Sequence, residues 1–358
     1  MTALPPPERD RRQARLRGAM AAAGLDALVA YAPAWRRENV RYLTGEPARS
    51  AAAFAYLPAS GDAAATGPFG LEDLPDLGAQ MRADLAKGAT VGVAHAELVP
   101  VALWRALTVA LPGIELRSAT ALMDAVRLVK SDWELDQIRH AASICDLGWA
   151  AFLAALAPGV AEHEIVAEVE HALKAAGAED NFMIIASGGD EVRGMTPPSS
   201  RRVGPGDMVR TELTPQWRGY WAQICRSAVV GRASTGQRQS GQVFEEAVAA
   251  GLATVRPGVT AHDVAKAEND VFRSNGLGQY CTSEYTRVRG HGHGLHLDEF
   301  PVIEGSETVL EPGVVLVVHP NTYTPLAGYH VLGDPVVVTA DGHEPLLETP
   351  RRLEEVAA

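Results

Sequence analysis

The chain has 358 residues, 47% hydrophobic and 21% charged, an ordinary soluble globular composition and too long for one core, so two domains are the default. Its 32 Lys and Arg against 44 Asp and Glu leave a net charge of −12 with no basic run, which argues against nucleic acid or an anionic membrane as partner. The opening "TALPPPERDRRQ" has no apolar segment of signal length, no window is apolar enough to span a bilayer, and Cys145, Cys225 and Cys281 form no CxxC pair. A reduced, cytoplasmic protein is expected, without a disulfide framework or a thiolate zinc site.

The first ~125 residues alternate helical patterns with short apolar runs, as a small α/β domain does. "ERDRRQARLRGAMAAAGLDALVAYAP" reads as an amphipathic helix, a glycine stop and a strand, and "AAAFAYLP" and "TVGVAHAE" read as further strands. "LVKSDWELDQIRHAASICDLGWAAFLAAL" then opens a long helix in which Ser131 and Glu134 have capping-box spacing. The boundary is placed just before it, giving domains 1–126 and 127–358.

The second part repeats itself. "PGVAEHEIVAEVEHALKAAG" (158–177) and "PGVTAHDVAKAENDVFRSNG" (257–276) align without gaps, each a turn, a helix and a glycine stop. Downstream, "VRGM" (192–195) echoes "VRGH" (288–291), "PGDMVRTE" (205–212) echoes "PGVVLVVH" (312–319), and "GYW" (219–221) echoes "GYH" (328–330). Two copies of one α/β unit, about 158–231 and 257–339, related by a pseudo-two-fold, are expected. Met195 and His291 become equivalent positions, as do Glu212 and His319, and all four are expected to face one central cleft.

These motifs resemble the creatinase/prolidase/aminopeptidase P group (family M24), over nearly the whole chain. "RRQARLRGAMAAAGLDALVAYAP" and "ENVRYLTGE" are similar to its creatinase-type first domain. "GDMVRTELTPQWRGYWAQICRS", "GHGHGLHLDEFP" and "LEPGVVLVVHPNTY…GYHVLGDPVVVT" resemble its three catalytic-domain motifs in order. The resemblance implies an α/β amino-terminal domain followed by an α+β "pita-bread" domain with an internal pseudo-two-fold, commonly as a homodimer.

Metal-dependent members of that group use two aspartates, a histidine and two glutamates to bind a pair of divalent ions. By motif these fall on Glu212, Gln223, His291, His319 and Gly333, with Asp334 beside the last. Neutral Gln223 and side-chain-less Gly333 are poor ligands for two hard ions, so no dinuclear cofactor is expected. The metal-free creatinase branch is closer, yet its general-base histidine falls on Met195, which cannot accept a proton. Asp298 stands where the family's "HExP" pattern has its second histidine, similar to the "DExP" form of a lyase branch.

Glu212, His291 and His319 are the expected proton-transfer groups, since a histidine titrates near neutral pH and a buried carboxylate can hold a proton. Each also has a plainer reading: a Glu212–Arg210 ion pair, a solvated loop histidine, a hydrogen-bonded core histidine. Gln223 is expected to orient substrate, and Tyr220, Met195, Tyr323, His330 and Asp298 to line the same cleft. His293 and His296 are weaker candidates, with alternation placing His293 on the side of His291 and His296 opposite. Cys225 follows a buried strand pattern and reads as inert. Arg201 or Arg202, in "MTPPSSRRVGPG", could meet a carboxylate substrate or lie in a solvated loop.

Three readings follow. The first is a metal-independent enzyme acting on a small polar, nitrogen-containing or carboxylated molecule, by C–N hydrolysis ahead of elimination or rearrangement. The second is a metal enzyme of the same family, either an Xaa-Pro-type peptidase or a lyase holding one iron or zinc on Glu212, His291 and His319. The third is a binding protein that has lost the site.

Overall fold

A computed structural model describes residues 4–48, 51–60 and 70–358. The chain divides into two compact units, Met1–Leu128 and Val129–Ala358.

In the first unit, helix α1 (Pro6–Ala23) starts on two prolines and stops at Gly24, whose φ of 66° turns the chain into strand β1 (Ala27–Pro33). α2 (Glu38–Thr44), β2 (Ala52–Pro58), α3 (Leu74–Asp84), β3 (Thr90–Ala94), α4 (Val101–Ala110), β4 (Glu115–Ser118) and α5 (Thr120–Leu128) follow. The sheet order is β2-β1-β3-β4, with β1 antiparallel to β2 and parallel to β3. β1 and β2 are buried along their whole length, so both read as unbroken apolar runs rather than alternating ones.

The second unit opens with α6 (Asp132–Ala155), held at its start by the expected capping box: Glu134 N–H donates to Ser131 Oγ at 3.1 Å and Ser131 N–H to Glu134 Oε2 at 2.9 Å. Then come α7 (Glu162–Ala175), β5 (Asp180–Gly188), β6 (Met208–Trp217), β7 (Tyr220–Trp221), β8 (Ile224–Val230), α8 (Thr235–Thr254) and α9 (Ala261–Ser274). The short strands β9 (Gly290–Gly292), β10 (Val315–Val318), β11 (Thr322–Thr324), β12 (Gly328–His330), β13 (Asp334–Val338), β14 (His343–Pro345) and β15 (Glu354–Val356) complete it.

The repeat is visible in the backbone. The two Pro-Gly turns carry φ of 85° at Gly159 and 84° at Gly258, and α7 and α9 follow them. The strands form matching sheets, β15-β8-β6-β5 and β14-β13-β10-β9, with β11 and β12 as a separate pair.

A few connections position the site. Glu212 on β6 is the direct partner of Cys225 on β8, so their side chains share one face. Cys225 in turn bridges Gly333, linking the two sheets through N–H···O bonds of 3.2 and 3.0 Å. Gly333 lies hard against His319, the residue just after β10: a Cβ at 333 would fall 2.2 Å from the His319 Cβ. No side chain fits at 333 with the backbone as it lies. The chain thus brings Glu212, Cys225 and His319 together from three strands.

Candidate functional site

The back of the site is buried and polar. One ligand-capable atom from each of Glu212, Cys225 and His319 lies within 4.8 Å of the others. The Asn321 amide donates to Glu212 Oε1 at 2.6 Å, and the Gln223 amide donates to Cys225 Sγ at 3.3 Å. Burial pushes the Glu212 carboxyl up, against the opposing pull of the His291 charge and the Asn321 hydrogen bond. Burial also pushes the Cys225 thiol well up. His319 is pushed down to about 3, first by burial and then by the charge of His291. It is therefore neutral at ordinary pH, a lone-pair donor rather than a proton carrier. Neither of its ring nitrogens has a hydrogen-bond partner in another residue, although both are buried.

In front of this wall stands His291, on β9 between two glycines that permit close packing. A Cβ at Gly290 would fall 2.0 Å from the Val317 carbonyl oxygen, and one at Gly292 2.3 Å from the Phe300 ring. The strand therefore lies tightly between β10 and Phe300 and holds His291 in place. The His291 ring is 5.1 Å from that of His319 and 4.7 Å from that of His293, centroid to centroid. His293 is thus on the same side as His291, fully buried, with Nδ1 2.9 Å from the Leu297 carbonyl.

His291 Nδ1 lies 3.0 Å from Asp298 Oδ1. Burial alone lowers His291, but the hydrogen bond and charge of Asp298 outweigh it, and the ring ends above its usual value. Asp298 experiences the reverse: burial raises it, and His291 brings it well below the usual carboxylate range. The Asp298 side chain is 62% exposed, so solvent screens the pair, and its contribution is more to orientation and protonation than to stability. A depressed carboxylate stabilises the fold above about pH 4 and loses that as pH falls; a raised histidine stabilises it below about pH 6.5 and loses that as pH rises, so the pair counts most between those values. Asp298→Asn is expected to move the His291 titration to lower pH, read from its ring-proton NMR shift. An unmoved titration would show that the pair does not set the protonation of His291.

The remaining candidates are placed variously. Gln223 is 2% exposed and sits in the site, engaged with Cys225. Met195 lies half-buried in the loop between β5 and β6, next to Thr196, which bridges Ile185. That loop touches the β11–β12 pair, where the Arg193 guanidinium lies 3.7 Å over the Tyr323 ring and Tyr323 stacks on Tyr285. Tyr220 and His330 are turned elsewhere, contrary to expectation. The Tyr220 hydroxyl donates to Glu134 Oε1 at 2.9 Å, in the capping box of α6. His330 stacks on Phe244 and shares a 2.9 Å hydrogen bond with Ser240 of α8.

The plainer readings resolve too. Arg210 donates to the Ala327 carbonyl at 3.2 Å, while the carboxylate of Glu212 takes Asn321 as its partner. Asp334 is bound by Arg226 at 2.6 Å and Arg351 at 3.1 Å. Arg201 pairs with Asp207 at 2.7 Å, and Arg202 donates to the Gly159 carbonyl at 2.6 Å, so both serve the loop.

Three residues of the site escaped the sequence reading. The strand pattern alone reads Cys225 as inert, Asn321 carries only the weak signal of an amide two residues past His319, and Tyr329 feels the charges of Glu212 and Cys225. Burial and those charges raise the Tyr329 hydroxyl.

Residues 136–340 match the profile of Metallopeptidase family M24, and residues 12–129 that of the Creatinase/Prolidase N-terminal domain. The chain belongs to the M24 family. It is 30% identical to the Xaa-Pro dipeptidase of Pyrococcus horikoshii over 242 residues, 67% of this chain and 68% of that one. It is also 30% identical to an uncharacterized peptidase, YqhT, of Bacillus subtilis, over 67% of each chain. The crystal structure of dipeptidase PepE from Mycobacterium ulcerans superposes with a TM-score of 0.85 at 26% identity, covering 100% of both chains. The M24 chain described here therefore has the two-domain pita-bread fold and is an enzyme of the hydrolase class. Among the described residues, no helix is long and apolar enough to cross a membrane.

Proposed function

We propose that this M24 chain hydrolyses a C–N bond in a small polar or carboxylated substrate, with His291 and Asp298 as its proton-transfer pair. The observation that carries this is the 3.0 Å His291–Asp298 contact, beside a wall formed by Glu212, Cys225 and His319. A carboxylate that fixes one ring nitrogen leaves the other to give or take a proton from substrate or water. Glu212, raised by burial, is a second group able to hold a proton. The names of the relatives favour an Xaa-Pro-type dipeptide as the substrate over the non-peptide amide suggested by residue chemistry alone.

The family's paired ions do not fit these residues. Gln223 offers a neutral amide already donating to Cys225, position 333 has room for no side chain, and Asp334 is turned to Arg226 and Arg351. No step here is routed through such a pair. A site that had merely decayed would have no reason to hold a half-buried carboxylate, two histidines and a charge-paired aspartate together, which supports an enzyme over a binding protein. A homodimer and a cytoplasmic setting belong to the same reading; Cys145, Cys225 and Cys281 are free thiols, as a reduced compartment allows.

The test is amine release from a panel of Xaa-Pro dipeptides, other dipeptides and N-substituted amino acids, run on chelated protein and on protein supplied with zinc, cobalt or manganese. Release of a free amino or imino acid from at least one carboxylated member is expected. Failure to cleave any member under every condition would contradict the proposal.

A further inference from the structure

We propose that Glu212, Cys225 and His319 form a seat for a single divalent ion of borderline softness, zinc foremost. This goes beyond the hydrolase reading and stands on donor geometry rather than on any activity. The residue chemistry of the sequence offers Glu212, His291 and His319 as a single-ion set. The donors whose ligand atoms lie within 4.8 Å of one another are Glu212, Cys225 and His319, so the geometry puts Cys225 where that set had His291.

The first observation is the convergence of three donor types. A carboxylate oxygen, a thiol sulfur and an imidazole nitrogen lie within 4.8 Å of one another. Tetrahedral zinc, with bonds of about 2.0–2.3 Å, needs its donors about 3.3–3.8 Å apart, so the three must close by about an ångström.

The second observation is His319 itself. It is 7% exposed, and both ring nitrogens are buried without a hydrogen-bond partner in another residue. Buried polar groups are nearly always paired, and a ring with neither nitrogen satisfied calls for a ligand.

The third is the support around the donors. The Asn321 amide fixes Glu212 at 2.6 Å, and the Gln223 amide donates to the Cys225 sulfur at 3.3 Å, a bond that favours the thiolate. The Cys225–Gly333 bridge holds the sulfur's strand, and the bare backbone at 333 makes room for His319. Metal ligands are commonly held by such outer contacts. The donor set also selects the ion. Thiolate and imidazole suit zinc or cobalt, whereas magnesium, calcium and manganese prefer oxygen. Gln223 and Gly333, by supplying no further anionic ligand, limit the seat to one ion.

The test uses the full chain, tag-free and chelator-stripped, titrated with cobalt(II) under anaerobic reducing conditions. One equivalent is expected to give the visible bands of tetrahedral cobalt together with a thiolate-to-cobalt charge-transfer band in the near ultraviolet. Cys225→Ser should abolish the charge-transfer band, His319→Gln should weaken binding at least tenfold, and His291→Ala should leave the spectrum nearly intact. Circular dichroism melting of each variant separates loss of a ligand from loss of the fold. Absence of saturable cobalt binding, or an unchanged spectrum in folded Cys225→Ser, would overturn the seat. Because the readout is spectral, amide cleavage by a cobalt-silent protein rejects the ion site alone, and cobalt bands without cleavage reject the hydrolase reading alone.

Discussion

His291→Ala is expected to lower kcat by a factor of about 10²–10⁴, the usual contribution of a positioned proton-transfer group. The fold should barely register the change. The partner of the His291 ring is a carboxylate that is 62% exposed, and β9 is held by backbone bonds and close glycine packing that the substitution leaves in place. A melting temperature within a few degrees of the parent is expected. His291→Ala that keeps full turnover would remove His291 from the chemistry and return the loop to a structural role. Comparison with Asp298→Asn sharpens the reading. If Asp298 acts by orienting and charging the ring, its variant should lose less kcat than His291→Ala and show a displaced pH profile.

Asp334→Ala is expected to destabilise the second unit by about 3–5 kcal/mol, the usual cost of breaking a buried ion pair from one side. Arg226 is fully buried, and its only anionic partner among the described contacts is Asp334, at 2.6 Å and 1% exposed. Its other bonds go to the carbonyls of Cys225, Gly333, Thr349 and Pro350, which soften the loss without supplying a counter-charge. Urea unfolding should show a lower midpoint with an unchanged slope. A loss below about 1 kcal/mol would show that those carbonyls alone carry the guanidinium, since a hydrogen bond to a charged group contributes about 1.5–3 kcal/mol. The prediction also separates two roles for a residue adjacent to an aligned ligand position. A structural Asp334 costs stability when removed; a ligand would cost metal.

What the sequence revealed and what it hid divide along physical lines. Local chemistry was legible. The Ser131–Glu134 capping box and the Pro-Gly turns at 159 and 258 require only neighbours in the chain, and the structure has them. The duplication was legible because each half repeats the same turn, helix and strand signals; of the four positions it set at one cleft, Glu212 and His319 have ligand-capable atoms within 4.8 Å of each other.

Side-chain direction across long separations was not legible. Tyr220 and His330 follow glycine turns in matching motifs, yet their polar atoms go to Glu134, 86 residues away, and Ser240, 90 residues away. Nothing in the periodicity of a two- or three-residue strand tells which side is core. Cys225 was missed for a related reason. A strand buried on both faces reads as uniformly apolar, so its pattern cannot say that one residue faces a polar pocket. Only the register Glu212↔Cys225, together with the bridge to Gly333, reveals it. Gly333 carried a signal that was half read. Its missing side chain offers no ligand atom at the aligned position, and its contact with His319 shows that the bare backbone leaves room for the imidazole.

On the reading proposed above, this M24 chain holds a proton-transfer pair beside a seat for one softer ion in place of two hard ones. The most direct test is metal stoichiometry by elemental mass spectrometry. Tag-free protein would be incubated separately with zinc, cobalt and manganese and freed of unbound metal by desalting. One zinc or cobalt per chain is expected, lost in His319→Gln, with no retained manganese. Two ions per chain, of manganese or any other metal, would contradict it.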